Sequence, residues 1–166
     1  MFVSLGMAQN NSGSESTHSD LEWYSFDEAR ELASGSDKLL FLFFEAEWCG
    51  FCKQMHNEVF PIPEIRNLMS DYFYPVIIDL ESEAKLNYDG KKKTEKSFSH
   101  QMRINATPTI IFMTDTGEVK GVQSGFLNES DLKDLIVYVG EGYINQMDFK
   151  EFKRETLPVI QKTVIK

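Results

Sequence analysis

Two apolar runs, "KLLFLFFEA" (residues 38–46) and "YFYPVIIDL" (residues 72–80), set the architecture of this chain. Neither alternates apolar with polar residues, as a strand with one wet face does. A strand covered on both faces has no such need. The first run is too short for a helix, because the turn-like "WCG" at residues 48–50 interrupts it. Between the two runs lies a segment with helical character, and two strands joined through helices run parallel. The expectation is an α/β fold with helices on both faces of the sheet.

The remaining elements follow from local signals. Order begins near Leu21-Glu22-Trp23, and "SFDEARELASGSDK" is a helix with Ser25 as cap and Glu28 completing a capping box. Phe26, Ala29, Leu32 and Ala33 share its apolar face, and Gly35 ends it. A helix is predicted from Cys49 to about Phe60, then a short one in "PEIRNLMS" with Pro63 in its first turn. "ESEAKLNYDGKKKTEK" is charged and carries a Tyr-Asp-Gly turn signal, and reads as a surface excursion. "SFSHQMRI" is a short helix; "TPTIIFMTD" and "VKGVQSGF" are strands of a hairpin through "DTGE". Asn128 and Ser130 are alternative caps for the helix "ESDLKDLIVYVG", and "YINQMDFKEFKRE" is a last helix with Asp148 near its start. The late hairpin adds antiparallel strands, so the sheet is mixed.

With 26 acidic and 17 basic residues among 166, the net charge of −9 repels a nucleic-acid backbone. The short cluster Lys91 to Lys93 reads as a solvated turn. No apolar run approaches the ~20 residues that cross a bilayer. Residues 1–20 read as a flexible leader, and residues 21–166 as a single domain with a C-terminal helical extension. In "MFVSLGMAQNN", Gly6 and Ala8 are spaced like the small residues of a signal-peptidase site, as at the end of an export signal. The charged region and most of the apolar region of such a signal are missing, so a disordered start stays open.

The only two cysteines are Cys49 and Cys52. A bridge across so short a loop is worth only about 2 kcal/mol by loop entropy, which argues against a purely structural role. Cys49 falls where a buried strand gives way to a helix, and unpaired amides with the positive end of the helix dipole favour a thiolate there. A fall in thiol pKa from ~8.5 to ~7 raises the thiolate fraction at neutral pH from about 3% to about half. Cys52 stands within disulfide reach and can resolve a mixed disulfide formed at Cys49. A different class stays open: Cys49, Cys52 and His56 are spaced C-x2-C-x3-H, three ligands of a metal-binding or metal-delivery module, with His18 or His100 to complete it. Covalent haem is excluded at this motif, because Lys53 stands where histidine is required.

The stretches "FFEAEWCGFCK", "RINATPTIIF" and "GEVKGVQSGF" resemble the thioredoxin superfamily, over about Trp23 to Gly140. "WCGFCKQMHNEVF", the charged excursion and the aromatic C-terminal helix are similar more narrowly to thioredoxin-related periplasmic proteins, including those linked to sulfur oxidation. The resemblance implies a three-layer α/β/α sandwich and a thiol-disulfide oxidoreductase; we read it as a reductant, while oxidant and isomerase share the same surface and stay open. It implies that Trp48, Cys49, Gly50, Phe51, Cys52, Thr107 and Pro108 share one surface, with Pro108 in cis and Gly125 leaving room for a partner's backbone. No cofactor is implied, since the sulfurs carry both electrons. The implied partners of this monomer are disulfide-containing proteins and an electron donor: a membrane thiol-disulfide interchange protein in the periplasm, or a thioredoxin reductase in the cytoplasm. A binding or chaperone module that keeps the fold is a further reading. Two departures stand out. The family's buried Asp and Lys beneath the cysteines fall here at Phe43 and about Ile77, with Glu45 or Glu47 as candidate proton relays, and the dipeptide between the cysteines is Gly-Phe.

Overall fold

The computed structural model describes residues 21–164, so the leader and the export-signal reading of residues 1–20 lie outside the described residues. The first apolar run forms β1 (Leu39–Glu45) and the second β2 (Phe73–Asp79), paired in parallel from Leu39↔Phe73 to Glu45↔Asp79. On its other edge β1 pairs antiparallel with β5 (Thr109–Met113), which pairs antiparallel with β6 (Val119–Ser124). The sheet order is β2-β1-β5-β6, and Tyr24 adds a parallel bridge to Val76 at the β2 edge.

Leu40 through Phe44 are all 0% exposed, and they feed two separate cores. Phe41 and Phe43 point to one side, where they meet Met55, Ile65, Met69, Leu132, Ile136 and Phe152. Leu40, Leu42 and Phe44 point to the other, against Phe26, Ala29, Leu86, Tyr88 and Phe98. Each such side chain is worth about 1.5–3 kcal/mol when taken out of water, so β1 has a reason to be apolar at every position. The layers are therefore α3 (Pro63–Tyr72) and α5 (Glu129–Gly140) on one face, and α1 (Phe26–Ala33) with α4 (Glu95–Gln101) on the other. This is a thioredoxin-like α/β/α sandwich with a mixed sheet.

Local capping follows the residue types. Ser25 Oγ accepts from the Glu28 amide, and Asn128, not Ser130, caps α5 by accepting from the Asp131 amide. Leu32 departs from the expected face of α1 and is 40% exposed. The expected surface excursion contains a hairpin, β3 (Lys85–Tyr88) and β4 (Lys91–Thr94), turned by Asp89 and Gly90, both at positive φ. Leu86 and Tyr88 are buried while Lys85 and Asn87 face out, and the Asp27 carboxylate holds Asn87 through its amide at 2.8 Å and its side-chain Nδ2 at 2.6 Å. Thr94 caps α4, which starts two residues before the expected Ser97.

The last predicted helix begins later than expected, because Asp148 is its cap, accepting from the Glu151 amide at 2.8 Å. Tyr143–Asn145 is a separate 3-10 turn. The helix runs through α6 (Phe149–Glu151), a π-helical turn (Phe152–Thr156) and α7 (Leu157–Val164). Fully buried Phe152 packs on Tyr138 and Tyr143, Lys153 pairs with Asp131 at 2.8 Å and Asp134 at 3.2 Å, and Tyr138 donates to the Met147 carbonyl.

Where α5 ends, Gly140 lies against the ring of Tyr72 at the end of α3, and a Cβ there would stand 2.4 Å from Tyr72 Cγ. Alanine has the better helix propensity by about 1 kcal/mol, but overpacking costs typically about 1–3 kcal/mol. Gly140→Ala is expected to lower stability by about 1–2 kcal/mol, read as a lower urea midpoint at unchanged slope.

Candidate active site

β1 stops at Glu45, and the chain turns so that the Cys49 amide donates back to the Ala46 carbonyl at 3.0 Å. Cys49 is then the cap of α2 (Gly50–Gln54), its sulfur accepting from the Cys52 amide at 3.1 Å. A hydrogen bond from that amide favours a thiolate at Cys49 over a thiol. The helix continues as a π-helical turn, Met55–Val59, and so reaches nearly to the expected Phe60 with a wider last turn. Cys49 and Cys52 form a disulfide, with an S–S length of 2.06 Å. Cys49 is 4% and Cys52 1% exposed, whereas Trp48 is 66% and Phe51 60% exposed. The pair is thus recessed in the core between two aromatic side chains held out in solvent.

The sheet brings the other named residues to the same end. Phe44 pairs with Thr109, and Thr109 with Ser124, so Pro108 and Gly125 lie at the end of the sheet where β1 delivers the cysteines. The Thr107–Pro108 peptide is cis, and the Pro108 carbonyl accepts from the Gly125 amide at 2.8 Å. Thr107 Oγ1 is buried with no hydrogen-bond partner among the described residues. Gly125 has φ +96°, and nothing lies within 4 Å of where a Cβ would be. Phe126 packs its ring 5.8 Å from that of Phe51 and joins this loop to the cysteine helix. Sequence reasoning missed Phe126, since no local spacing signals a contact between a helix residue and a loop residue far along the chain.

Glu45 and Glu47, the two candidate relays, part company. The Glu45 carboxylate meets His56 Nε2 at 2.5 Å. Glu47 is exposed and lines a shallow recess with Trp48, Lys53 and Glu81. Phe43, at the place of the family's buried acid, is fully buried against the same cluster as both cysteines. The metal trio is not assembled: His56 is engaged by Glu45, and among the described residues no group of three His, Cys, Asp or Glu side chains is placed to hold an ion.

Gly50 and Gly125 both have open space at Cβ, but only Gly125 lies at positive φ. Gly125→Ala is expected to cost about 1–2 kcal/mol from the left-handed backbone alone. Gly50→Ala, at the first helical position, is expected to be neutral or to stabilise by up to about 1 kcal/mol. Parallel urea denaturation of the two variants checks the contrast.

Comparison with known proteins places this geometry. A proposed disulphide-isomerase from Bacteroides thetaiotaomicron is 26% identical, with a TM-score of 0.56 over 73% of this chain and 94% of that one. A thioredoxin from Thermus thermophilus is 23% identical, with a TM-score of 0.58 over 72% of this chain and 87% of that one. A thioredoxin-fold protein from Helicobacter pylori is 17% identical, with a TM-score of 0.58 over 78% and 87%. No curated protein matches the chain in sequence. A thioredoxin-like fold with a Cys49–Cys52 disulfide at a strand-to-helix turn supports thiol-disulfide oxidoreductase chemistry. Residues 26–140 match the thioredoxin-like domain, and the chain belongs to that family.

Proposed function

We propose that the protein reduces disulfides in other proteins. The observation that carries this reading is the Cys49–Cys52 disulfide, closed across the first turn of α2 where β1 ends. In the reduced protein, the Cys49 thiolate attacks one sulfur of a partner disulfide. A mixed disulfide forms, and the other partner sulfur leaves with the electron pair. Cys52 then attacks the Cys49 sulfur, the bond to the partner breaks, and the partner departs with both of its cysteines reduced. The protein is left with the Cys49–Cys52 disulfide, and a donor of two electrons must restore it.

Trp48, Gly50 and Phe51 form the surface that meets the partner chain. Thr107 holds it by backbone hydrogen bonds beside Pro108, whose carbonyl is taken by the Gly125 amide, and open space at Gly125 admits its main chain. The protein acts as a monomer, exported or periplasmic, with residues 1–20 as leader and residues 21–166 as one domain with a C-terminal helical extension. Among the described residues, no helix is long and apolar enough to cross a membrane. In the periplasm the electron donor is a membrane thiol-disulfide interchange protein; in a cytoplasmic setting it would be a thioredoxin reductase.

Cys52→Ser is expected to stop the cycle at the mixed disulfide, so that partners co-purify through a bond released by dithiothreitol. Cys49→Ser is expected to trap none and to turn over model disulfides at the uncatalysed rate. Recovery of no mixed disulfide from the native compartment would overturn the proposal. Equilibration with glutathione tests direction: a reductant requires a potential nearer ~−270 mV than the ~−120 mV of a strong oxidant, with each 30 mV equal to about 1.4 kcal/mol.

A further inference from the structure

We propose that His56, held by Glu45, is the proton acceptor for Cys52 in the resolving step, an inference that rests on the reading above. His56 lies four residues after Cys52 on one continuous helical segment, and side chains so spaced share a face of the helix. It sits in the π-helical turn Met55–Val59, a feature frequent at functional sites. The imidazole is boxed by Trp23, Phe43 and Phe60, with ring centroids 5.7, 5.4 and 5.3 Å away. Its Nε2 meets Glu45 Oε2 at 2.5 Å, with the two side chains 30% and 23% exposed. Phe43, one wall of the box, belongs to the core cluster that contains both cysteines.

These features have a chemical consequence. An imidazole that donates its Nε2 proton to a carboxylate has Nδ1 as its free basic atom, and the same carboxylate stabilises the cation formed when Nδ1 is protonated. Cys52 carries a thiol while the mixed disulfide stands at Cys49. Its proton passes to Nδ1, the new thiolate bonds to the Cys49 sulfur, and the bond from Cys49 to the partner breaks. The partner sulfur leaves with the electron pair and takes a proton from solvent, and the imidazolium returns its proton to solvent.

The surrounding charges are otherwise engaged. Asp79 is in register with Glu45 on β2, and its Oδ1 accepts from the Glu81 amide. Glu22, on the segment of Trp23, accepts from the Tyr24 hydroxyl. On the helix itself, Glu58 accepts from Gln54, and Lys53 lies at the recess with Glu47 and Glu81.

The test is stopped-flow reaction of the reduced protein with a chromogenic aryl disulfide. Attack by Cys49 releases one aryl thiolate, and resolution by Cys52 releases the second. At neutral pH and without imidazole the His56→Gln second phase is expected to slow about a hundredfold, the lower end of what a general base contributes. Added imidazole is expected to restore the second phase in His56→Gln and to leave the wild type unchanged. Glu45→Gln keeps the imidazole but removes the carboxylate that holds it, and is expected to slow the second phase by less than His56→Gln does. A purely structural role would lower the urea midpoint of either variant and give no rescue by imidazole. A second phase of unchanged rate in His56→Gln, or a slowed one that imidazole does not restore, overturns the inference. Absence of the first phase in the wild type would instead overturn the role of Cys49.

Discussion

β1 is the shared wall of two hydrophobic cores, and the position of every functional group descends from it. Its alternate side chains serve opposite layers, and its two edges carry β2 and β5. The strand cannot shift by one residue without exchanging the two sets of aromatic and aliphatic side chains between cores. That register places the turn after Glu45 at one end of the sheet. Because β5 runs antiparallel beside β1, its first residue, Thr109, lies opposite Phe44 near the end of β1, with Pro108 immediately before it. The cysteine turn and the Thr107–Pro108 peptide meet because of strand direction, with no need for either segment to recognise the other.

Weak and strong contacts divide the work elsewhere. The C-terminal extension is tied to α5 by Lys153 bridging half-buried Asp131 and buried Asp134, and the more exposed of the two pairs is worth only ~0.2–1 kcal/mol. Phe152, wholly buried among Tyr138, Tyr143 and Phe149, contributes more by burial, ~1.5–3 kcal/mol. The ion pairs orient a helix that the aromatic contact holds. At the site the balance differs: Glu45 and His56 are half-buried, and the aromatic box limits how the imidazole can turn.

Much of the fold was readable from short-range pattern. Unbroken apolar runs marked β1 and β2, and Ser25, Asn128 and Asp148 are caps because their short polar side chains reach the next turn's amides. The β3–β4 hairpin was not read, because charge across its sequence masked the two-residue alternation that buries Leu86 and Tyr88. Leu32 was misplaced because α1 buries a narrower stripe than its apolar residues mark out.

The cysteine pair, the strand that precedes it and the helix that follows were all encoded within a few residues of one another, where backbone geometry and side-chain chemistry act locally. Three facts were beyond that range: Glu45 meets His56 and not the cysteines, Glu47 turns to the surface, and Phe126 flanks Phe51. Each depends on how strands and helices distant in sequence settle against one another. That settlement is decided by packing volume and register across the sheet, which no local pattern contains.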